Sequence, residues 1–153
     1  MPASPDLAIP LRNAIIANSN IMGNLPLYTT GDDNVFTSRP VPADAPYPMI
    51  VISPDLSRTD MGGLRDERYI SMRDVTVYGQ TQPLSQGVSQ YRLVETIAFL
   101  LFDLFHRNQK AIVVPSWKVV QIWGSGPSPA PTDDDMTVGR IVSLRIELNA
   151  AMP

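Results

Sequence analysis

The sequence predicts an α+β fold: an antiparallel sheet of about four to six strands, with a long helix and a short amino-terminal helix packed on one face. Three observations predict it. Residues 91–105, YRLVETIAFLLFDLF, place Val94, Ile97, Ala98, Leu101, Leu104 and Phe105 at helical spacing. Residues 140–148, RIVSLRIEL, alternate, with Val142, Leu144, Ile146 and Leu148 set against Ile141, Ser143, Arg145 and Glu147; that period marks a strand with one buried face. The 15 prolines, about twice the usual ~5%, fall elsewhere. Pro40, Pro42, Pro46, Pro48 and Pro54 occupy one connection, Pro127, Pro129 and Pro131 another, and none lies between Leu84 and Val114. Proline removes a backbone donor and breaks helix interiors, so its gaps show where regular structure can run.

The elements follow in order. Leu11, Ala14, Ile15 and Asn18 suit a short helix, better supported after Pro10 than before it, with Ser4-Pro5-Asp6 as a possible start signal. Residues 20–34 read as a Gly/Asn/Asp-rich connection, and residues 35–38 and 49–53 as short strands flanking a proline-stiffened loop. Residues 54–67 form a charged loop around Gly62-Gly63, and residues 68–78 a longer strand. The main helix spans 87–108. Residues 117–123 alternate weakly, with Trp117, Val119, Gln121 and Trp123 on one side, and a second long loop, 124–135, leads to the last strand. No repeat is visible, and the whole chain, 1–153, reads as one domain.

A chain of 153 residues with 44% hydrophobic and 18% charged content is composed like a globular protein with its own core. The net charge of -3 gives no electrostatic drive toward nucleic acid. Without cysteine, disulfides and thiolate chemistry are excluded. The start, MPASPDLAIPLRN, lacks a basic region followed by an apolar one, so no signal peptide is expected. The stretch TIAFLLFDLF (96–105) is apolar nearly all round, yet a spanning helix needs about 20 such residues. Its second side, carrying Phe99, Leu100 and Phe102, must therefore meet protein, and a neighbouring subunit is the expected cover.

Catalytic groups are few. His106, the sole histidine, ends the apolar helix, where a positive charge suits the helix carboxyl end. There is no G-x-S-x-G elbow and no P-loop. Asp133, Asp134 and Asp135 could bind a divalent cation weakly, but a specific site needs ligands converging from several directions; they suit a solvated loop that deters strand aggregation. Gly31-Asp32-Asp33-Asn34 reads as a turn. Arg58, Arg65, Arg68 and Arg73 are interleaved with Asp55, Asp60, Asp66, Glu67 and Asp74, so the segment suits docking rather than a phosphate grip. No cofactor, metal or catalytic site is expected.

The order of these elements resembles the tail-completion, or tail-terminator, proteins of long-tailed bacteriophages and gene transfer agents. The residues that carry the resemblance are the amino-terminal amphipathic helix, Val35-Phe36, VPADAPYPMIVI (41–52), DVTVYGQ (74–80), YRLVETIAFLLFDLF (91–105) and RIVSLRIEL (140–148). The long segments 54–67 and 124–135 depart from the pattern. The resemblance implies a non-enzymatic virion protein at the tail–neck junction, made in the bacterial host cytoplasm. It implies a homo-oligomeric ring, a hexamer, that caps the tail tube and presents a surface to the head connector, with DNA passing through non-specifically and no membrane partner. On that reading Phe99, Leu100 and Phe102 are subunit-interface candidates. Arg58, Asp60, Arg65, Asp66 and Asp133 to Asp135 are docking candidates, and Ser143, Arg145 and Glu147 are channel-lining candidates. Another neck or head-completion protein is the alternative, and a metal-dependent hydrolase using Asp133 to Asp135 is the alternative of a different class.

Overall fold

The computed structural model describes residues 5–28, 32–37, 41–62, 67–81, 90–132 and 136–151, with the backbone alone at Asp32 and at 57–62. Its spine is one antiparallel pair. Strand β6 (Glu67–Gln80) and strand β8 (Thr137–Ala150) run together from Arg68 opposite Asn149 to Gln80 opposite Thr137. Because β8 occupies one side of β6 throughout, the other side is shared. Strand β4 (Met49–Ile52) pairs with Val75–Tyr78, and β5 (Ser57–Gly62) pairs with Glu67–Met72. Strand β3 (Val35–Phe36) lies outside β4, and β7 (Trp117–Pro129) lies outside β8, giving the order β3-β4-β6-β8-β7.

The alternation of β8 is realised as read. Val142, Leu144, Ile146 and Leu148 are fully buried, joined on the same face by Tyr69, Val75 and Val77 of β6 and by Ile50 and Ile52 of β4. Helix α3 (Tyr91–Phe105) covers this face with Val94, Ile97, Ala98, Leu101 and Phe105, and helix α1 (Ala8–Ile16) adds Leu11 and Ile15. Leu104, expected in the core stripe, is only partly buried at its margin. Gly79 lets helix and sheet approach closely: a Cβ there would lie 2.4 Å from Val94 Cγ2.

Several boundaries differ from the expectation, each for a physical reason. Pro10 lies inside α1, but in its first turn, where backbone N–H groups have no helical acceptor to lose. The connection 20–34 contains a short helix, α2 (Ser19–Met22), capped by the Asn18 side chain, and the paired strands β1 (Leu27–Tyr28) and β2 (Asp32–Asp33). Strands β3 and β4 are parallel, not antiparallel. The loop between them is held by Asn34, whose Nδ2 donates to the carbonyls of Pro46 and Pro48, each at 2.7 Å.

The two expected loops are largely strand. Residues 57–62 are β5, and residues 124–129 extend β7. Pro127 and Pro129 are tolerated because β7 is the sheet edge, where a missing N–H costs no ladder bond on the open side. A register shift between Val119 and Gln121 also reverses the expected facing of β7. Trp117 and Val119 point to the core side, then Ile122 and Gly124, leaving Gln121 and Trp123 outside; one extra residue in a strand flips everything after it. Residues 63–66, 82–89 and 133–135, with the predicted start of the main helix at Gly87, lie outside the described residues.

Leu101 is fully buried where α3 meets the sheet. Leu101→Ala should cost ~2–5 kcal/mol of unfolding free energy, read from urea titrations of the two proteins.

Candidate assembly surfaces

The three interface candidates on α3 separate into two kinds. Phe99 is 58% exposed and shares the solvent side of the helix with Arg92, Thr96 and Asp103. Leu100 and Phe102 flank the buried stripe and pack partly against the core of their own chain. Phe102 also stacks on His106, with ring centroids 4.6 Å apart. The chain's own fold thus covers part of the second apolar side, and Phe99 remains open.

His106 does something other than place a charge at the helix end. It is the residue where α3 stops, and its Nδ1 accepts the backbone N–H of Gly124 at 3.1 Å. Arg107, at φ 57, donates its N–H to the carbonyl of Ile122. The end of the helix therefore satisfies part of the open edge of β7, a usual way of protecting an edge strand. Trp123, 42% exposed, closes the cluster. Its ring meets His106 edge-on at 4.7 Å, and the Arg107 guanidinium lies 5.1 Å from its centroid. This aromatic–arginine strip was not legible in the sequence, because the bulge that turns Trp123 outward has no sequence signature; the adjacency of His106 and Arg107 to the helix end was the only available hint.

The outer face of the sheet carries the three channel-lining candidates together. Ser143 Oγ donates to Asp74 Oδ1 at 2.7 Å. Glu147 is only 5% exposed. It is held by Arg68 at 2.5 Å and by Arg145, both of which reach solvent. The Arg68 hydrogen bond, with burial opposing it and Arg145 reinforcing it, lowers the Glu147 carboxyl below the usual carboxylate range. On the inner face a different charge is enclosed. Arg73 lies against Asp55, which also accepts the hydroxyls of Tyr69 and Ser71. Two arginines of the 54–74 segment are thus tied up within the fold.

Of the docking candidates, Arg58 and Asp60 lie on β5, in register with Ser71 and Tyr69. Arg65, Asp66, Asp133, Asp134 and Asp135 lie outside the described residues. Among the described residues no group of three or more metal-binding side chains converges. A smaller apolar cluster, Ala45, Met49 and Val51, sits on the outer face near β3. Beside it is a groove of ≈ 300 Å³ whose lining includes Val41, Pro42, Tyr47, Met49 and Tyr78.

No family model and no curated protein matches the sequence. The comparison with solved structures does find the fold. A chain of the structure titled "Virion of native gene transfer agent (GTA) particle" superposes with a TM-score of 0.72, over 94% of this chain and 95% of that one, at 10% sequence identity. The chain has the fold of a gene transfer agent virion component. The match covers both chains almost end to end, so it includes the β6–β8 spine and α3 together.

The Glu147 interactions carry a pH signature. Because its folded value is the lowered one, the stabilisation is complete above the ordinary glutamate value and is lost as pH falls through the lowered one. Glu147→Gln should therefore melt at lower temperature than the parent at neutral pH, with the difference shrinking once the pH drops below about 4. Thermal melts across that range check this, and a difference that persists unchanged into strong acid would contradict it.

Proposed function

We propose that this chain is a tail-terminator ring subunit, which caps the head-proximal end of a tail tube and joins it to the head connector. The observation that carries the reading is the near end-to-end fold match to a chain of a gene transfer agent virion. Three features of this chain support it. A large aromatic, Phe99, is left open on a helix that is otherwise committed to its own core. The strand order ends on two unlike margins, β3, where Arg12 Nε donates to the Val35 carbonyl, and β7, where the end of α3 is bonded, with β5 a further margin beside β6. Its outer face combines Ser143, Arg145 and Glu147 in a mixed-charge array rather than a bank of unpaired cations.

In this role Phe99, with Leu100 and Phe102 behind it, belongs to the contact between subunits. Ser143, Arg145 and Glu147 line the passage for DNA. Glu147 offsets one of its two arginines, which limits the electrostatic grip on phosphate. Arg58, Asp60, Arg65, Asp66 and Asp133 to Asp135 contact the tail-tube protein or the connector. Ring, tube and connector are thus the partners, and the particle neck is the location.

Electron microscopy of particles assembled without this protein tests the role. Tubes should grow to irregular lengths and remain unjoined to heads, and added protein should restore both. Phe99→Asp should keep the parental melting temperature within a few degrees and fail to restore them. Tubes of normal length with unjoined heads would instead identify a neck component that acts after termination. Normal joined particles in its absence would refute a structural role at this junction.

A further inference from the structure

We propose that copies of this chain associate head to tail, with the β7 margin of one seated on the β3 margin of the next. The inference rests on the ring reading above and specifies which surfaces meet. The two margins are the opposite edges of the sheet, and they differ in charge. Beside β7 are the exposed cations Arg107, Lys110 and Lys118. Beside β3 are Asp33 of β2 and the exposed Asp44, which accepts the Tyr28 hydroxyl at 2.9 Å. Tyr28 ties this region to β3 through an edge-on contact with Phe36, at 5.6 Å between ring centroids. Among the described residues, none of these five charged side chains is in an ion pair within the chain.

Shape and polarity run the same way. The β7 margin presents Trp123, backed by His106 and the Phe102 ring stacked on it, beside the Arg107 guanidinium. Next to β3, on the outer face over β4 and β6, is the groove lined by Val41, Tyr47, Met49 and Tyr78, closed at its far end by Pro131 and Thr132; Leu27 of β1 is 61% exposed. Aromatic and arginine anchors entering a groove are the usual centre of a strong interface. Opposite charges at its rim set orientation and suppress other pairings. A contact between two different surfaces of the same chain is heterologous, and it closes into a ring when the rotation between copies permits.

Charge exchange tests the pairing. One variant carries Lys110→Glu and Lys118→Glu; the other carries Asp33→Lys and Asp44→Lys. Arg107 is left alone because its backbone is left-handed. In each variant alone the two margins carry like charge, so analytical ultracentrifugation should show loss of the assembly that the parent forms. Mixed in equal amounts, each variant presents the complement of the other, and alternating assemblies should return. Either variant assembling alone as the parent does would overturn the proposal. So would failure of the mixture to assemble when both variants retain the parental circular dichroism. Both of those results leave the ring reading standing, because the parent still assembles. A parent that stays monomeric even with tail tubes present would overturn the ring reading and this pairing with it.

Discussion

Everything in this fold depends on the β6–β8 pairing. It is long, antiparallel and in unbroken register from Arg68 opposite Asn149 to Gln80 opposite Thr137. That register puts Tyr69, Val75 and Val77 beside Leu148, Val142 and Arg140, and it fixes a single apolar face for α3 to cover. A slip by one residue would send that whole set to the opposite face. The same register assembles the outer face, since Asp74 meets Ser143 directly and Ile70 meets Glu147, near enough for Arg68 to reach its carboxylate. Core and candidate surface are thus two sides of one constraint.

The spine then leaves its neighbours unequal. On one side β4 and β5 divide the length of β6, with β3 added only along β4. On the other side β7 runs the length of β8, and the end of α3 folds onto its open edge through His106 and Arg107. One margin is therefore short, and the other is long, aromatic and cationic. A chain with two unlike margins is suited to heterologous contacts between copies.

The elements with strong periodicity were legible in the sequence. The alternation of Val142 to Leu148 and the stripe from Val94 to Phe105 each bury what their spacing assigns, apart from Leu104. Edge elements were not. Ser57–Gly62 reads as a loop because a strand at a sheet margin needs no apolar face, and Gly124–Pro129 because prolines are harmless on an open edge. Phe99 is recognisable as surplus apolar surface, whereas alternation groups Trp123 with Trp117 and the fold separates them, because a bulge at Val120 changes facing without changing composition. The buried contacts of Arg73 with Asp55, and of Glu147 with Arg68, join residues far apart in sequence, and only the folded register brings them together.

On the proposed assembly, the spine is complete within one chain and the margins are completed by neighbouring copies. Hydrogen–deuterium exchange on the free and assembled protein tests it most directly, since amide protection reports local opening. Exchange should be slow along β6 and β8 in both states, with added protection on assembly at Lys118–Gln121 of β7 and around Val35–Phe36 of β3. Unchanged exchange at both margins, with new protection confined to the middle of β6 and β8, would contradict it.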